Sequence, residues 1–368
     1  MAAKRRKWPS GRVVTLEHTS KVLAGNPLGD PHVRTLDVWL PPQYDELRGR
    51  GRGKRFPVVY DLVGFTGSGR SHTNWRAFDE NVPERAARLV HERKSGPLIV
   101  VFPDCFTALG GNQYVNSSAV GAYADYLTRE LVPFVDRELR TLADRAHRGC
   151  FGKSSGGYGA LIHGMKYPDC WGAIASHSGD CYFDFVYAPD WPGTLDELAK
   201  HRRPRQRPGR RKPVGEPATA NAGVDDGRIA RFLEHVWATE QPREAQVMAL
   251  MILAMAATYD PDPRAPNGFR VPYDLETGAL LPSRWRRWLR HDPINLVARY
   301  ARNLRTLRGI FIDCGWRDQY RMHYGNRLLS QRLAKHRVPH VYEEFDGTHS
   351  GIDYRMDRSL PFLYRALR

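Results

Sequence analysis

Residues 150–160 read CFGKSSGGYGA, and two kinds of chemistry use parts of such a string. Gly152-Lys153-Ser154 matches the end of the phosphate-cradling loop G-x-x-x-x-G-K-[ST], while Gly152-Lys153-Ser154-Ser155-Gly156 matches the G-x-S-x-G of a nucleophile elbow. The loop requires a first glycine five residues before Gly152, and that position is His147, so the backbone has no means of wrapping a phosphate there. The elbow fits. A short strand over Gly149–Gly152 followed by a helix over Ser155–Tyr167 puts Ser154 on the sharp turn between them, with glycines where side chains would collide. The serine hydroxyl then stands at the carboxyl edge of a strand, beside a helix amino terminus that favours a developing oxyanion.

A serine hydroxyl is a weak nucleophile until a base takes its proton and an acid orients the base. On an elbow-bearing sheet the partners follow in the order Ser, Asp/Glu, His, on loops after later strands. The run Gly309–Asp313 reads as a strand and is followed by Cys314-Gly315-Trp316-Arg317-Asp318; His340–Phe345 is followed by Asp346-Gly347-Thr348-His349. Asp318 and His349 therefore complete the candidate triad, with Asp313 as the alternative acid. Asp318 also stands where it would cap a helix beginning near Gln319. His177 or Asp180, after the strand Ala173–His177, is expected to line the pocket. Asp180 and Trp316 are taken as substrate contacts. For the oxyanion hole the sequence offers the N–H of Phe65, in the loop Gly64-Phe65-Thr66-Gly67-Ser68-Gly69, paired with that of Ser155.

These side chains need a scaffold that aligns strand ends. Val33–Leu40 alternates as an edge strand does, and Pro57–Val63, Leu98–Phe102, Gly149–Gly152, Ala173–His177, Gly309–Asp313 and His340–Phe345 are short apolar runs of the buried kind. Helical stretches fall between them at Pro83–Arg93, Val120–Leu139, Ser155–Tyr167 and Gln319–His336. The alternation predicts an α/β fold, a mostly parallel sheet flanked by helices, and the elbow set on it is the one that α/β-hydrolases carry. Residues 182–290 break it with a basic Pro/Gly linker, a long apolar helix over Ile229–Tyr259 interrupted near Gln241-Pro242, and a segment ending in Trp285-Arg286-Arg287-Trp288. The domain reading is thus a first core part over 1–181, a mainly helical cap insertion over 182–290, and a second core part over 291–368.

The net charge of +16 is concentrated. Residues 1–12, 48–55 and 202–212 carry five, five and seven Lys or Arg without one acidic residue, so the rest of the chain is close to neutral. Such tracts can neutralise phosphates without sequence preference, yet no aromatic residues interleave the two loops to stack on bases, which disfavours a nucleic-acid partner. Five cysteines with no C-x-x-C spacing support neither a disulfide framework nor a zinc knuckle. The longest apolar run, Val247–Ala257, is too short to span a membrane, and Trp8-Pro9-Ser10-Gly11 stands where a signal peptide would need its apolar stretch. The expectation is a cytoplasmic enzyme that needs no cofactor or metal: H-E-x-x-H is absent, and Asp260-Pro261-Asp262-Pro263 lacks the remaining ligands of a calcium loop. Composition leaves the oligomeric state open.

Longer blocks carry a family resemblance. Arg34–Pro42 (RTLDVWLPP), Pro57–Gly64 (PVVYDLVG), Glu130–Asp136 (ELVPFVD), Gly152–Leu161 (GKSSGGYGAL), Tyr167-Pro168-Asp169 and Ser178-Gly179 are similar to the putative esterase family of α/β-hydrolases. That family groups S-formylglutathione hydrolases, enterochelin esterases, feruloyl esterases and mycobacterial mycolyltransferases. The resemblance implies the nucleophile, acid and base roles for Ser154, Asp318 and His349 and hydrolysis of a carboxylic ester through an acyl-enzyme. Acyl transfer by the same triad, and a non-catalytic binding protein presenting the basic tracts, are the alternative readings. Val63 stands where many members have His, and the insertion departs from any S-formylglutathione hydrolase pattern. A cap bearing Arg and Trp would suit a small-molecule ester that is anionic or aromatic, such as a ferric catecholate siderophore.

Overall fold

Runs such as Val58–Leu62 and Ile99–Phe102 have no polar face, so they are stable only where helices cover both sides of a sheet. The computed structural model describes residues 8–46, 53–203 and 225–368, and most of each basic tract lies outside the described residues. Eight strands form one sheet: β1 (Arg12–Thr19), β2 (Val33–Leu40), β3 (Val58–Leu62), β4 (Ile99–Phe102), β5 (Arg148–Lys153), β6 (Ala173–His177), β7 (Gly309–Gly315) and β8 (Val341–Phe345), in the spatial order β1-β2-β4-β3-β5-β6-β7-β8. β2 runs antiparallel to both of its neighbours, β1 and β4, and the remaining neighbours pair in parallel. The chain is an α/β-hydrolase fold.

The sequence places β2 at the sheet edge, but β1 covers it. β1 escapes the reading because its sequence RVVTLEHT leaves exposed or half-exposed residues at every position, as an outermost strand does. Helices α1 (Val82–His91) and α10 (Met356–Leu367) cover one face, packing on Val59, Val100, Phe151, Ala175 and Phe311. The other face carries α2 (Val132–Glu138), α3 (Ser155–Lys166), α8 (Pro293–Leu304) and α9 (Met322–Lys335).

Between β6 and α8 the described part of the insertion is helical: α4 (Trp191–Ala199), α5 (Arg228–Trp237), α6 (Glu244–Tyr259) and α7 (Pro282–Leu289). The expected break near Gln241-Pro242 falls between α5 and α6. One carboxylate ties the two ends of this segment together. Buried Asp292 accepts the N–H groups of Tyr182 (3.0 Å) and Phe183 (2.8 Å) and also caps α8 through Ile294 N–H at 3.2 Å. Its surroundings push its pKa up to about 6. No helix among the described residues is long and apolar enough to cross a membrane.

Helix α3, which starts at Ser155, is fixed from behind by a buried imidazole. Trp171 Nε1–H can only donate, and it donates to His163 Nδ1 at 3.0 Å, so the ring proton sits on Nε2 and is given to Tyr114 O at 2.8 Å. Burial lowers the His163 pKa from 6.5 to about 4. A depressed folded-state pKa contributes stability that is full above pH 6.5 and is lost as pH falls towards 4. The loss should reach on the order of 3 kcal/mol by pH 4. Urea unfolding of the wild-type chain and of His163→Gln should show a steeper decline for the wild type across that window, and parallel curves would refute the assignment.

Candidate active site

Ser154 occupies φ 57° and ψ −124°, a backbone conformation that L side chains rarely adopt. Such a residue costs about 1–3 kcal/mol and persists only where its surroundings impose it. Here the imposing contacts are between backbones. A Cβ at Gly152 or at Gly156 would run into the carbonyl oxygen of Leu62 on β3, and a Cβ at Gly152 would also meet the Gly156 carbonyl carbon at 2.5 Å. Ser154 N–H donates to His177 O at 3.0 Å, and Ser154 O accepts from Tyr158 N–H at 2.9 Å as the first turn of α3 closes. The amides of Ser155, Gly156 and Gly157 precede that first bond, as the open donors of a helix start must.

His349 and Asp318 meet across two loops. His349 Nδ1 lies 2.7 Å from Asp318 Oδ2, and both side chains are buried. The other carboxylate oxygen accepts Tyr320 N–H at 2.9 Å, which fixes the plane of the group. Gln319 holds the backbone of the histidine loop, its Oε1 accepting His349 N–H at 2.9 Å. Helix α9 starts at Met322 rather than Gln319, because Arg321 adopts a left-handed φ of 63°, so Asp318 stabilises a turn ahead of the helix and does not cap it.

Asp313 is committed elsewhere. Strand side chains alternate between faces, so Asp313, opposite His177 in register, points with it toward the face covered by α10. There His177 Nδ1 meets Asp313 Oδ1 at 2.6 Å, His177 Nε2 meets Ser359 Oγ at 2.8 Å, and Arg355 Nε donates to Asp313 Oδ2 at 2.8 Å. Of the two pocket candidates after β6, it is Asp180 that lines the cavity, and His177 lies beneath it in the sheet.

A cavity of about 390 Å³ opens over Ser154 and His349. Phe65 lines it, in a loop held by Tyr114 Oη–H on Val63 O (2.7 Å), Gly67 N–H on Gly64 O (3.0 Å) and Gly111 N–H on Phe65 O (2.6 Å). Helix α6 supplies Val247, Met248 and Met251, so the insertion walls the site from above. Asp180 borders the nucleophile, accepting from Ser154 Oγ at 3.4 Å, Ser155 Oγ at 3.4 Å and Tyr187 Oη at 2.8 Å. Burial raises its pKa. On another wall, Asp61 takes His72 Nδ1 at 2.6 Å and Asp353 is paired with Arg76. Among the described residues no group of three or more His, Cys, Asp or Glu side chains could hold a metal ion.

The chain has relatives among known proteins. Residues 31–357 match the family model described as putative esterase. The chain belongs to the putative esterase family. An esterase of Mycobacterium tuberculosis is 31% identical over 165 residues, which is 42% of this chain and 32% of that protein. An endo-1,4-beta-xylanase/feruloyl esterase of Xylanibacter ruminicola is 27% identical over 154 residues, 41% of this chain and 20% of that one. The chain thus spans about a third or less of the length of these curated relatives. Among solved structures, a ferulic acid esterase superposes with TM-score 0.57 at 19% identity, covering 96% of this chain and 98% of its own. An S-formylglutathione hydrolase of Staphylococcus aureus gives 0.54 at 13% identity over 96% and 98%. These likenesses are of fold.

Within this family fold, two expectations drawn from the sequence need correction. Trp316 is not among the residues that line the cavity: it is 49% exposed, with the Arg317 guanidinium over its ring. The Arg- and Trp-bearing segment also lies away from Ser154, since Trp285 and Trp288 are buried under the insertion and Arg284 and Arg287 pair with Asp260. The insertion instead offers the nucleophile valine and methionine. The sequence reading missed Gln319, Tyr187 and the α6 wall. A polar residue directly after the acid was a usable signal for Gln319, whereas Tyr187 and the α6 residues depend on how the insertion folds back. The elbow packing predicts that Gly156→Ala lowers the unfolding free energy by at least ~2 kcal/mol in urea, the cost of overfilling a tightly packed site; a loss below about 0.5 kcal/mol, the scale of an ordinary surface substitution, would contradict it.

Proposed function

We propose that the protein is a serine esterase that cleaves a carboxylic ester of a small molecule through an acyl-enzyme. One observation carries the reading: His349, held by buried Asp318 at 2.7 Å, lines the same cavity as a serine held at positive φ on a strand-to-helix turn. The family membership agrees with it, as do relatives named as esterases and feruloyl esterases.

Ser154 Oγ attacks the ester carbonyl while His349 Nε2 takes its proton, and the same nitrogen returns the proton to the departing alkoxide. Asp318 Oδ2 accepts from Nδ1–H throughout, fixing the tautomer and favouring the imidazolium. The N–H groups of Phe65 and Ser155 bind the oxyanion, a contribution of about 3–4 kcal/mol per donor in comparable sites. Water, activated by His349, then releases the acid. In the resting arrangement the Ser154 hydroxyl leans toward Asp180, so the attack begins with a rotation about its Cα–Cβ bond toward His349. Such loosened contacts are common before substrate binds. The valine and methionine side chains of α6 suit an apolar portion of the ester.

A fluorophosphonate probe with peptide mapping should give a single adduct on Ser154, absent in Ser154→Ala, whose unfolding midpoint stays at the wild-type value. Asp318→Asn should slow ester turnover by about 10⁴-fold, because the amide stabilises the wrong imidazole tautomer. Asp313→Asn should leave Ser154 reactive in the folded chain. If Asp313→Asn abolishes labelling in a folded sample and Asp318→Asn does not, the acid has been misassigned.

A further inference from the structure

The cavity contains one cation that the proposed chemistry does not use and that no carboxylate contacts among the described residues. Lys153, the residue before the nucleophile, lines it beside His72, Arg76 and Asp353. The other charges of that wall are matched. Arg76 is paired with Asp353 and Asp79, and His72 with buried Asp61. Burial opposes the charge on His72, but attraction and the hydrogen bond from Asp61 outweigh it and raise the pKa, so this pair sits as an imidazolium with its carboxylate over a wider pH range. Lys153 alone has neither ion pair nor hydrogen bond among the described residues. Burial lowers its pKa, and the charges it feels most after that are Asp353, Asp318 and Arg76. Asp180, the other carboxylate of the cavity, is occupied by Tyr187, Ser154 and Ser155, and burial favours its neutral form.

A half-buried ammonium that touches no carboxylate has lost water and gained only the more distant attraction of Asp353 and Asp318, which is costly unless a ligand supplies a direct anion. Register explains why it remains in the site. Lys153 is the last residue of β5, directly opposite His177, and on the same face as Phe151 two residues earlier, so its side chain leaves the sheet at the strand end that carries Ser154. Val186, Val247, Met248 and Met251 line the same cavity. Its lining therefore combines apolar side chains with a single positive charge that no carboxylate contacts.

We infer that Lys153 forms an anion subsite beside the nucleophile, and that the substrate is an ester with an apolar body and a carboxylate or phosphate group close to the scissile bond. This rests on the serine-esterase reading for the word ester and on the cavity alone for the anion. It places the anionic specificity on β5 of the core, not on the arginines of the insertion.

Calorimetric titration of the full chain with phenylbutyrate and with its uncharged isostere phenylbutyramide tests the subsite, because binding needs no turnover. The carboxylate is expected to bind about tenfold more tightly than the amide, the size of one good charge-assisted contact. The advantage should disappear in Lys153→Met, persist in Lys153→Arg, and shrink as salt is added to the wild-type chain. Equal affinities of the two ligands for the wild-type chain overturn the proposal, and so does a preference that Lys153→Met leaves intact. Should Lys153→Met fail to fold, a wild-type preference insensitive to salt overturns it equally. Phosphonate labelling of the same samples separates the two readings. A labelled Ser154 without a carboxylate preference removes the subsite alone, while a preference without labelling removes the esterase and leaves the anion site standing.

Discussion

The approach of Gly152 and Gly156 to the carbonyl oxygen of Leu62 is the constraint on which the rest of the site depends. Any side chain at either position would force β5 and α3 away from β3. Because neither has one, the turn between them is short enough to hold Ser154 at positive φ, and the strain is sustained by two of the most buried strands of the sheet. The same closeness brings the oxyanion loop into place, since β3 runs directly into Gly64 and Phe65. A Cβ at Gly64 would stand 3.5 Å from the Ser154 Cβ, so the loop and the nucleophile are in contact distance without an intervening side chain. Nucleophile position and candidate oxyanion donors are thus set by one backbone packing event.

The base and acid are positioned by a second, independent device. β7 and β8 pair in parallel, which sets Gly315 opposite Phe345 and starts both loops from the same level of the sheet. Trp316 N–H on Phe345 O and Arg317 N–H on Gly347 O, both at 3.0 Å, extend the ladder past the strand ends. Gln319 then clamps the histidine loop. This arrangement places the two candidate acids in different surroundings. Within β7, alternation sends Asp313 to the face covered by α10, where Arg355 and His177 satisfy it, and only a residue beyond the strand could reach the cavity.

Much of this was legible in the sequence because the informative features are local. The G-x-S-x-G spacing, the apolar runs and the order Ser, Asp, His are properties of short segments, and the parallel sheet follows from their alternation with helices. The placing of Asp313 was within reach too, as strand parity alone puts it on the face of Phe311. What could not be read was the insertion. Its helices are placed by Asp292 binding Tyr182 and Phe183 across more than a hundred residues of sequence, and no periodicity reports a contact of that kind. The segment 285–288 therefore looked like cavity lining, when Trp285 and Trp288 are buried packing and Arg287, with the preceding Arg284, pairs with Asp260. β1 was missed for the opposite reason: an outermost strand with both faces partly wet has a pattern too weak to stand out.

The division of labour between core and insertion bears on how specificity is distributed. Residues contributed by strand ends, Lys153 and Phe65 among them, are fixed by the sheet and cannot move without disturbing the elbow. Those contributed by α6 are held by a helix whose two ends are joined to the core through segments outside the sheet. Apolar contacts from Val247, Met248 and Met251 are non-directional, so they can accept differently shaped bodies at modest cost. A charge on β5 is different, because its partner must be brought to one place. On the proposed reading, the core would select for the reacting group and its neighbouring charge, and the insertion for size and apolarity.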